Sequence, residues 1–232
     1  MTCLACKCSP CRPAPIEQAL KTPLAPPALP GRDCGSQLVL RGIEGAGGAH
    51  LEALLAALAD VTCELTALTY AQGNLGGELW RWTRRLPRGA PLVFLDLSGQ
   101  RLCDDSLEAL LEAATPARAS LPHLTTLLLN HNPLGAGPRS DAVPAWIGQL
   151  PRGGAEGRSG GGGWQLQRLG LRDTWIDDRS IAKLSAALGT APALTTLELQ
   201  WNDGVGEEQA RLLGAAWVNS GKQAEGLGFG RD

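Results

Sequence analysis

Residues 124–135 read LTTLLLNHNPLG, and the same leucines return in LTTLELQWNDGV at 194–205. Leu124, Leu127 and Leu129 match Leu194, Leu197 and Leu199, and Asn132 matches Asn202, while most residues between them differ. Agreement confined to regularly spaced positions is the mark of a packing constraint on a repeated unit. The frame is L-x-x-L-x-L-x-x-N-x-L. Leu92, Leu95, Leu97, Gln100 and Leu102 fit it, and so do Leu166, Leu169, Leu171, Thr174 and Ile176. Leu65, Leu68, Tyr70, Gly73 and Leu75 make a looser copy; Leu38, Leu40 and Ile43 begin a first one; and Gly204 takes the last apolar place of the copy at 194.

Copies starting at 65, 92, 124, 166 and 194 lie 27, 32, 42 and 28 residues apart, which gives a period of 28 with insertions in the two long gaps. One insertion is ATPARAS at 114–120, and the other holds the glycine-rich run GGAEGRSGGGG at 153–163. After the strand-like frames come helical patterns: AHLEALLAALA from 49, DDSLEALLEAA from 104, DDRSIAKLSAAL from 177 and GEEQARLLGAAW from 206. Asp104, Asp105, Asp177 and Asp178 stand where carboxylates satisfy the free N–H groups of a first helical turn, so they read as helix starts and not as paired catalytic acids.

Side chains alternate across a strand, so positions 4 and 6 of each copy enter the core while 3, 5 and 7 face the other way. One such unit buries too little apolar surface to offset the entropy of ordering it, and stacking is required. The asparagine at position 9 is expected to tie the turn backbone through its amide.

The strand-plus-helix unit resembles the ribonuclease-inhibitor type of leucine-rich repeat, with motifs covering about residues 36 to 219. The resemblance implies an α/β leucine-rich repeat solenoid: a short right-handed horseshoe of about five to six repeats, with a parallel concave sheet and helices on the convex face. Residues 1–35, rich in cysteine and holding seven of the 16 prolines, read as a disordered arm; 36–219 as the repeat domain with a glycine-rich loop at 152–163; and 220–232 as a flexible tail. The terminal repeats have no obvious polar caps, so an exposed end is expected to be covered by the tails or by another subunit.

Solenoids generally bind through the concave face. The leading expectation is a non-enzymatic protein-interaction module or scaffold, a subunit of a larger assembly, that takes its partner on the sheet face and rim. In this frame Ala67, Thr69, Ala71, Phe94, Thr126, Arg168, Gly170 and Thr196 share the face with Asp96, Ser98, Leu128, Asn130, Arg172, Glu198 and Gln200, and the rim carries His131, Asp173, Trp175 and Trp201. Arginine and tryptophan are enriched in binding hot spots. Against this stands a solvated sheet with both tryptophans tucked into turns. Two alternatives are a GTPase regulator using Arg101 or Arg172, by analogy with other proteins of this repeat type, and an RNA-associated or cytoskeletal assembly subunit. Arg81, Arg84, Arg85 and Arg88, interleaved with Trp80 and Trp82, would carry any nucleic-acid contact, although Leu75, Leu79, Trp82 and Leu86 at helical spacing read as a buried stripe with the arginines in solvent.

Composition bounds the remaining classes. A net charge of -2 over 232 residues gives no general attraction to nucleic acid. The longest apolar stretch, Leu51 to Val61, is broken by Glu52 and Asp60, so no membrane span is expected. Five of the seven cysteines precede residue 35, which argues against a disulfide framework in the body and for a reducing, cytoplasmic setting, with organelle or cytoskeletal association open. Cys3, Cys6, Cys8 and Cys11 are spaced closely enough to be weak metal candidates or acylation sites, with inert thiols as the plainer reading. His50, His123 and His131 have no nucleophile and carboxylate placed beside them, and no phosphate-loop motif is present, so neither catalysis nor a cofactor is expected.

Overall fold

The computed structural model of the chain describes residues 36–41, 65–76, 79–86, 89–114, 120–135, 142–148, 166–191 and 193–229. The four amino-terminal cysteines, the helical pattern from 49, Arg88 and the glycine-rich loop lie outside them. The chain divides into Met1–Cys34 and Gly35–Asp232, and every described residue belongs to the second unit.

Seven strands, β1 (Ser36–Arg41), β2 (Leu65–Ala71), β3 (Phe94–Asp96), β4 (Thr126–Leu128), β5 (Arg168–Gly170), β6 (Thr196–Glu198) and β7 (Leu227–Gly228), form one sheet in sequence order. All pairings are parallel. The register runs leucine on leucine at position 4: Leu38, Leu68, Leu95, Leu127, Leu169, Leu197 and Leu227 pair in turn. Between the strands come the helices α1 (Leu79–Arg85), α2 (Asp104–Ala114), α3 (Ala142–Gly148), α4 (Asp178–Ala187) and α5 (Glu207–Asn219), each packed on the next. This is an α/β fold, one parallel sheet with helices in the connections between its strands. Frame leucines such as Leu95, Leu97, Leu127, Leu129, Leu169 and Leu197 are fully buried in the core they share with Leu107, Leu110, Ile181, Leu184 and Leu213.

Position 9 stitches consecutive turns together. Asn132 is completely buried. Its Nδ2 donates to the carbonyls of Leu129 at 2.8 Å, Leu97 at 3.0 Å and Asn130 at 3.2 Å, and its Oδ1 accepts from the backbone N–H of Gln100 at 2.9 Å and Leu102 at 3.0 Å. Asn202 repeats the pattern two boundaries further on, donating to Leu171 and Leu199 and accepting from Thr174 and Ile176. Gln100, one methylene longer, reaches into the turn where Gly73 has no side chain, donating to Tyr70 O at 2.7 Å and accepting from Leu75 N at 3.1 Å. Thr174 is shorter and bonds its own repeat's Leu171 carbonyl and Asn202 instead.

The carboxy-terminal end departs from the sequence expectation. Beside Gly204, which takes the last apolar place of its copy, Val205 packs against the core. Residues 220–229 form a cap where a flexible tail was expected. Leu227 takes position 4 of a seventh strand, and Phe229, two residues on as position 6 requires, packs against the core. Trp217, fully buried, donates its Nε1–H to Gln223 O at 2.7 Å, and Lys222 Nζ bonds Ala191 O at 2.9 Å while lying 5.4 Å from the Trp217 ring centre. Burial lowers the Lys222 pKa from its ordinary value. Gly226 sits so close to Thr195 O that a Cβ there would lie 2.0 Å from it, which excludes any other residue without a backbone shift.

Asp177 caps α4, accepting from Ser180 N at 2.8 Å. Partial burial raises its pKa, but the Ser180 hydrogen bonds and the charge of Arg179 outweigh that and hold it below the ordinary carboxyl value. A carboxyl lowered in the folded state stabilises above its unfolded pKa, and that contribution is lost as pH falls through the folded value. Asp177→Ala should therefore cost about 1 kcal/mol at neutral pH, with the gap to the parent closing in acid, as read by urea unfolding at several pH values. Asn132→Ala leaves two buried N–H groups without an acceptor and should lower unfolding free energy by about 3 kcal/mol in the same assay.

Candidate partner-binding surface

The turn that follows each strand places one side chain outward by a backbone device. Position 8 is left-handed in five copies: Gln72 (φ 59°), Gly99 (φ 65°), His131 (φ 57°), Asp173 (φ 50°) and Trp201 (φ 60°). In four of them its N–H donates to the position-7 carbonyl of the next copy, Gln72 to Ser98, Gly99 to Asn130, His131 to Arg172 and Asp173 to Gln200, at 2.8 to 2.9 Å. Position 10 is left-handed as well at Arg101 (φ 56°) and Trp175 (φ 62°). For a residue with a Cβ this region costs about 1–2 kcal/mol, and for a bulky residue it is rare. Glycine at position 99 shows what the backbone alone would favour.

The two tryptophans are nonetheless in solvent, Trp175 at 61% and Trp201 at 42% exposure. The alternative in which both are tucked into turns does not match this. His131 links the row: its Nδ1 lies 3.1 Å from Asp173 Oδ2, and its ring lies 6.2 Å from that of Trp201 at an interplanar angle of 30°. His131, Asp173 and Trp201 of three successive repeats thus form one contiguous strip along the rim.

The sheet face is less open than alternation alone implies. At position 5, Thr69, Asp96, Gly170 and Glu198 are buried, and Leu128 is half-buried. Glu198 is held between Arg168, whose Nε donates at 2.9 Å, and Arg172, whose Nε lies 2.9 Å from Glu198 Oε2. Asp96 Oδ1 accepts from Ser98 N at 2.9 Å, and Asn130 Oδ1 from Arg172 N at 2.9 Å. Gly170 leaves the room Asn130 and Leu128 use, since a Cβ there would lie 2.8 and 2.9 Å from them. Asp96 and Glu198, expected to meet a partner, are therefore internal fittings of the sheet: neighbouring strands lie close enough for long side chains on one to cover short positions on the next. Ser98, Leu128, Asn130, Arg172, Asp173 and Gln200 are half-buried, and His131, Trp175 and Trp201 are the most accessible of the named residues.

Arg81, Arg84 and Arg85 are exposed on α1, with Arg84 Nε 3.8 Å from Glu112, while Leu79, Thr83 and Leu86 form the buried side of that segment. Arg101 is exposed, and Arg172 is engaged with Glu198. Among the described residues no three histidines, cysteines or acids are grouped to hold a metal ion, and no helix is long and apolar enough to cross a membrane. The sequence reading missed a cleft of about 280 Å³ beside Trp201, closed on one side by Phe229. Leu227 and Phe229, spaced as positions 4 and 6 of a further copy, were the available signal.

No family model matches the chain, and no curated protein matches it. Among solved structures it is similar to the tropomodulin C-terminal domain of Caenorhabditis elegans, with TM-score 0.46, 13% identity, 73% of this chain and 92% of that one covered. It is also similar to leiomodin-1 actin-binding site 2, with TM-score 0.45, 17% identity and coverage of 73% and 84%.

Removing the carboxylate between the two arginines tests the account of the sheet face. Glu198→Gln should lower unfolding free energy by about 1–2 kcal/mol, since both arginines keep some solvent, and the deficit should shrink with added salt as the remaining arginine repulsion is screened.

Proposed function

We propose that this chain is a non-enzymatic interaction module of ribonuclease-inhibitor-like repeat type, which holds a protein partner along the rim built by its repeat turns. One observation carries the reading. Trp175 and Trp201 occupy left-handed positions that penalise a large side chain, and they still keep 61% and 42% of their surface in water, where a partner can bury it. Residues held in costly backbone conformations cluster at binding and catalytic sites. An exposed tryptophan such as Trp201, beside a histidine and a carboxylate, matches the composition of an interface anchor with a polar border. The half-buried face residues Leu128, Asn130, Arg172 and Gln200 extend this surface inward from the rim.

Substituting Trp175→Gly separates the two roles a tryptophan can have. Glycine accepts the left-handed turn freely, so thermal unfolding should leave the midpoint unchanged or higher. Partner association, measured by quantitative crosslinking of the tagged full-length chain in its native extract, should fall at least about tenfold, as for a hot-spot truncation. A large loss of stability would make Trp175 structural, and unchanged crosslinks would remove the rim as the binding surface.

A further inference from the structure

The cleft beside Trp201 has a composition that selects for one kind of occupant. Its walls include Trp201, Val205, Ala210 and Phe229, and Asp203 and Glu207 belong to the same lining. The volume, about 280 Å³, falls just below the range of drug-sized sites and suits a single large side chain. Among the described residues that line it, none is basic. Trp201 is shared with the rim strip, where His131 lies against it, so the cleft continues the partner-binding surface to the carboxy-terminal end of the described sheet.

We infer that this cleft receives an apolar side chain of a partner peptide segment flanked by lysine or arginine. The inference rests on the partner-binding reading above and specifies its chemistry. Val205, Ala210 and Phe229 supply the dry wall against which an aliphatic side chain is buried. The Glu207 carboxylate of the lining attracts a flanking cation, and the exposed part of the Trp201 ring offers it a π face, which strengthens the preference over an acidic or neutral segment. A negatively charged segment would set like charge against Glu207.

The test uses the full chain with its tryptophan indoles isotopically labelled, the Trp201 signal being assigned by its loss in Trp201→Phe. The probes are two acetylated, amidated tripeptides, Lys-Leu-Lys and Glu-Leu-Glu, titrated into the millimolar range. Lys-Leu-Lys should shift the Trp201 indole signal saturably while leaving Trp217 unmoved, and Glu-Leu-Glu should bind at least about tenfold more weakly. Ala210→Phe, which fills the cleft, should abolish the response; Glu207→Gln should weaken Lys-Leu-Lys and narrow the difference between the peptides. Equal responses to both peptides, or none, would overturn the proposal. So would a response that appears only after deletion of residues 230–232, which would make the chain's own terminus the occupant. A silent Trp201 together with partner loss in Trp175→Gly would sink this inference and leave the partner-binding reading standing.

Discussion

A buried amide that must satisfy the backbone of two neighbouring turns at once governs this structure. Asn132 and Asn202 each hold carbonyls on both sides of a repeat boundary and two N–H groups of the preceding repeat, in the buried interior. Buried backbone groups must be paired, so the turns have little freedom in spacing or conformation once the asparagine is in place. Gln100 shows that the demand concerns the amide and not the residue: a longer arm reaches the earlier turn because Gly73 leaves it room. Thr174, which carries no amide, bonds within its own repeat and to the next asparagine.

The shape of the candidate surface follows from that constraint. With position 9 buried, the chain turns sharply beside it, and position 8, joined by position 10 at Arg101 and Trp175, takes left-handed geometry that turns its side chain outward. The fold therefore offers a row of display sites whose residues the core does not choose. Glycine, glutamine, aspartate, histidine and tryptophan all occupy position 8 here. Where the occupant is a large, exposed aromatic, as at Trp201, the turn displays it to solvent, which is why the proposed function places the partner on the rim and not on the more crowded sheet face.

The repeating part was legible because spacing alone encodes it. Leucines at positions 4 and 6 predict strand, register and core together, and Leu38 and Leu40 take those places in the first strand despite the weak consensus around them. Asp177 was readable as a helix cap for an equally local reason. What was not legible depends on neighbours remote in sequence. Asp96 and Glu198 obey the alternation rule, but whether an outward side chain meets water depends on what the adjacent strand lays over it, and Arg168 and Arg172 lie about 30 residues before the carboxylate they cover. The cap at 220–229 was hidden by its glycines, which resemble a loose end although Gly226 is there to allow close approach to Thr195.

In the proposed function a partner is held on the turn row and not on the helices or on the α1 arginines. Hydrogen exchange on the full chain, alone and within its native complex, tests it most directly. Complex formation should slow exchange at residues 131–132, 173–176 and 201–205, with α1 and the outer side of α5 around Leu212 and Val218 unchanged. Protection confined to those helices, with the turn amides exchanging as in the free chain, would contradict it.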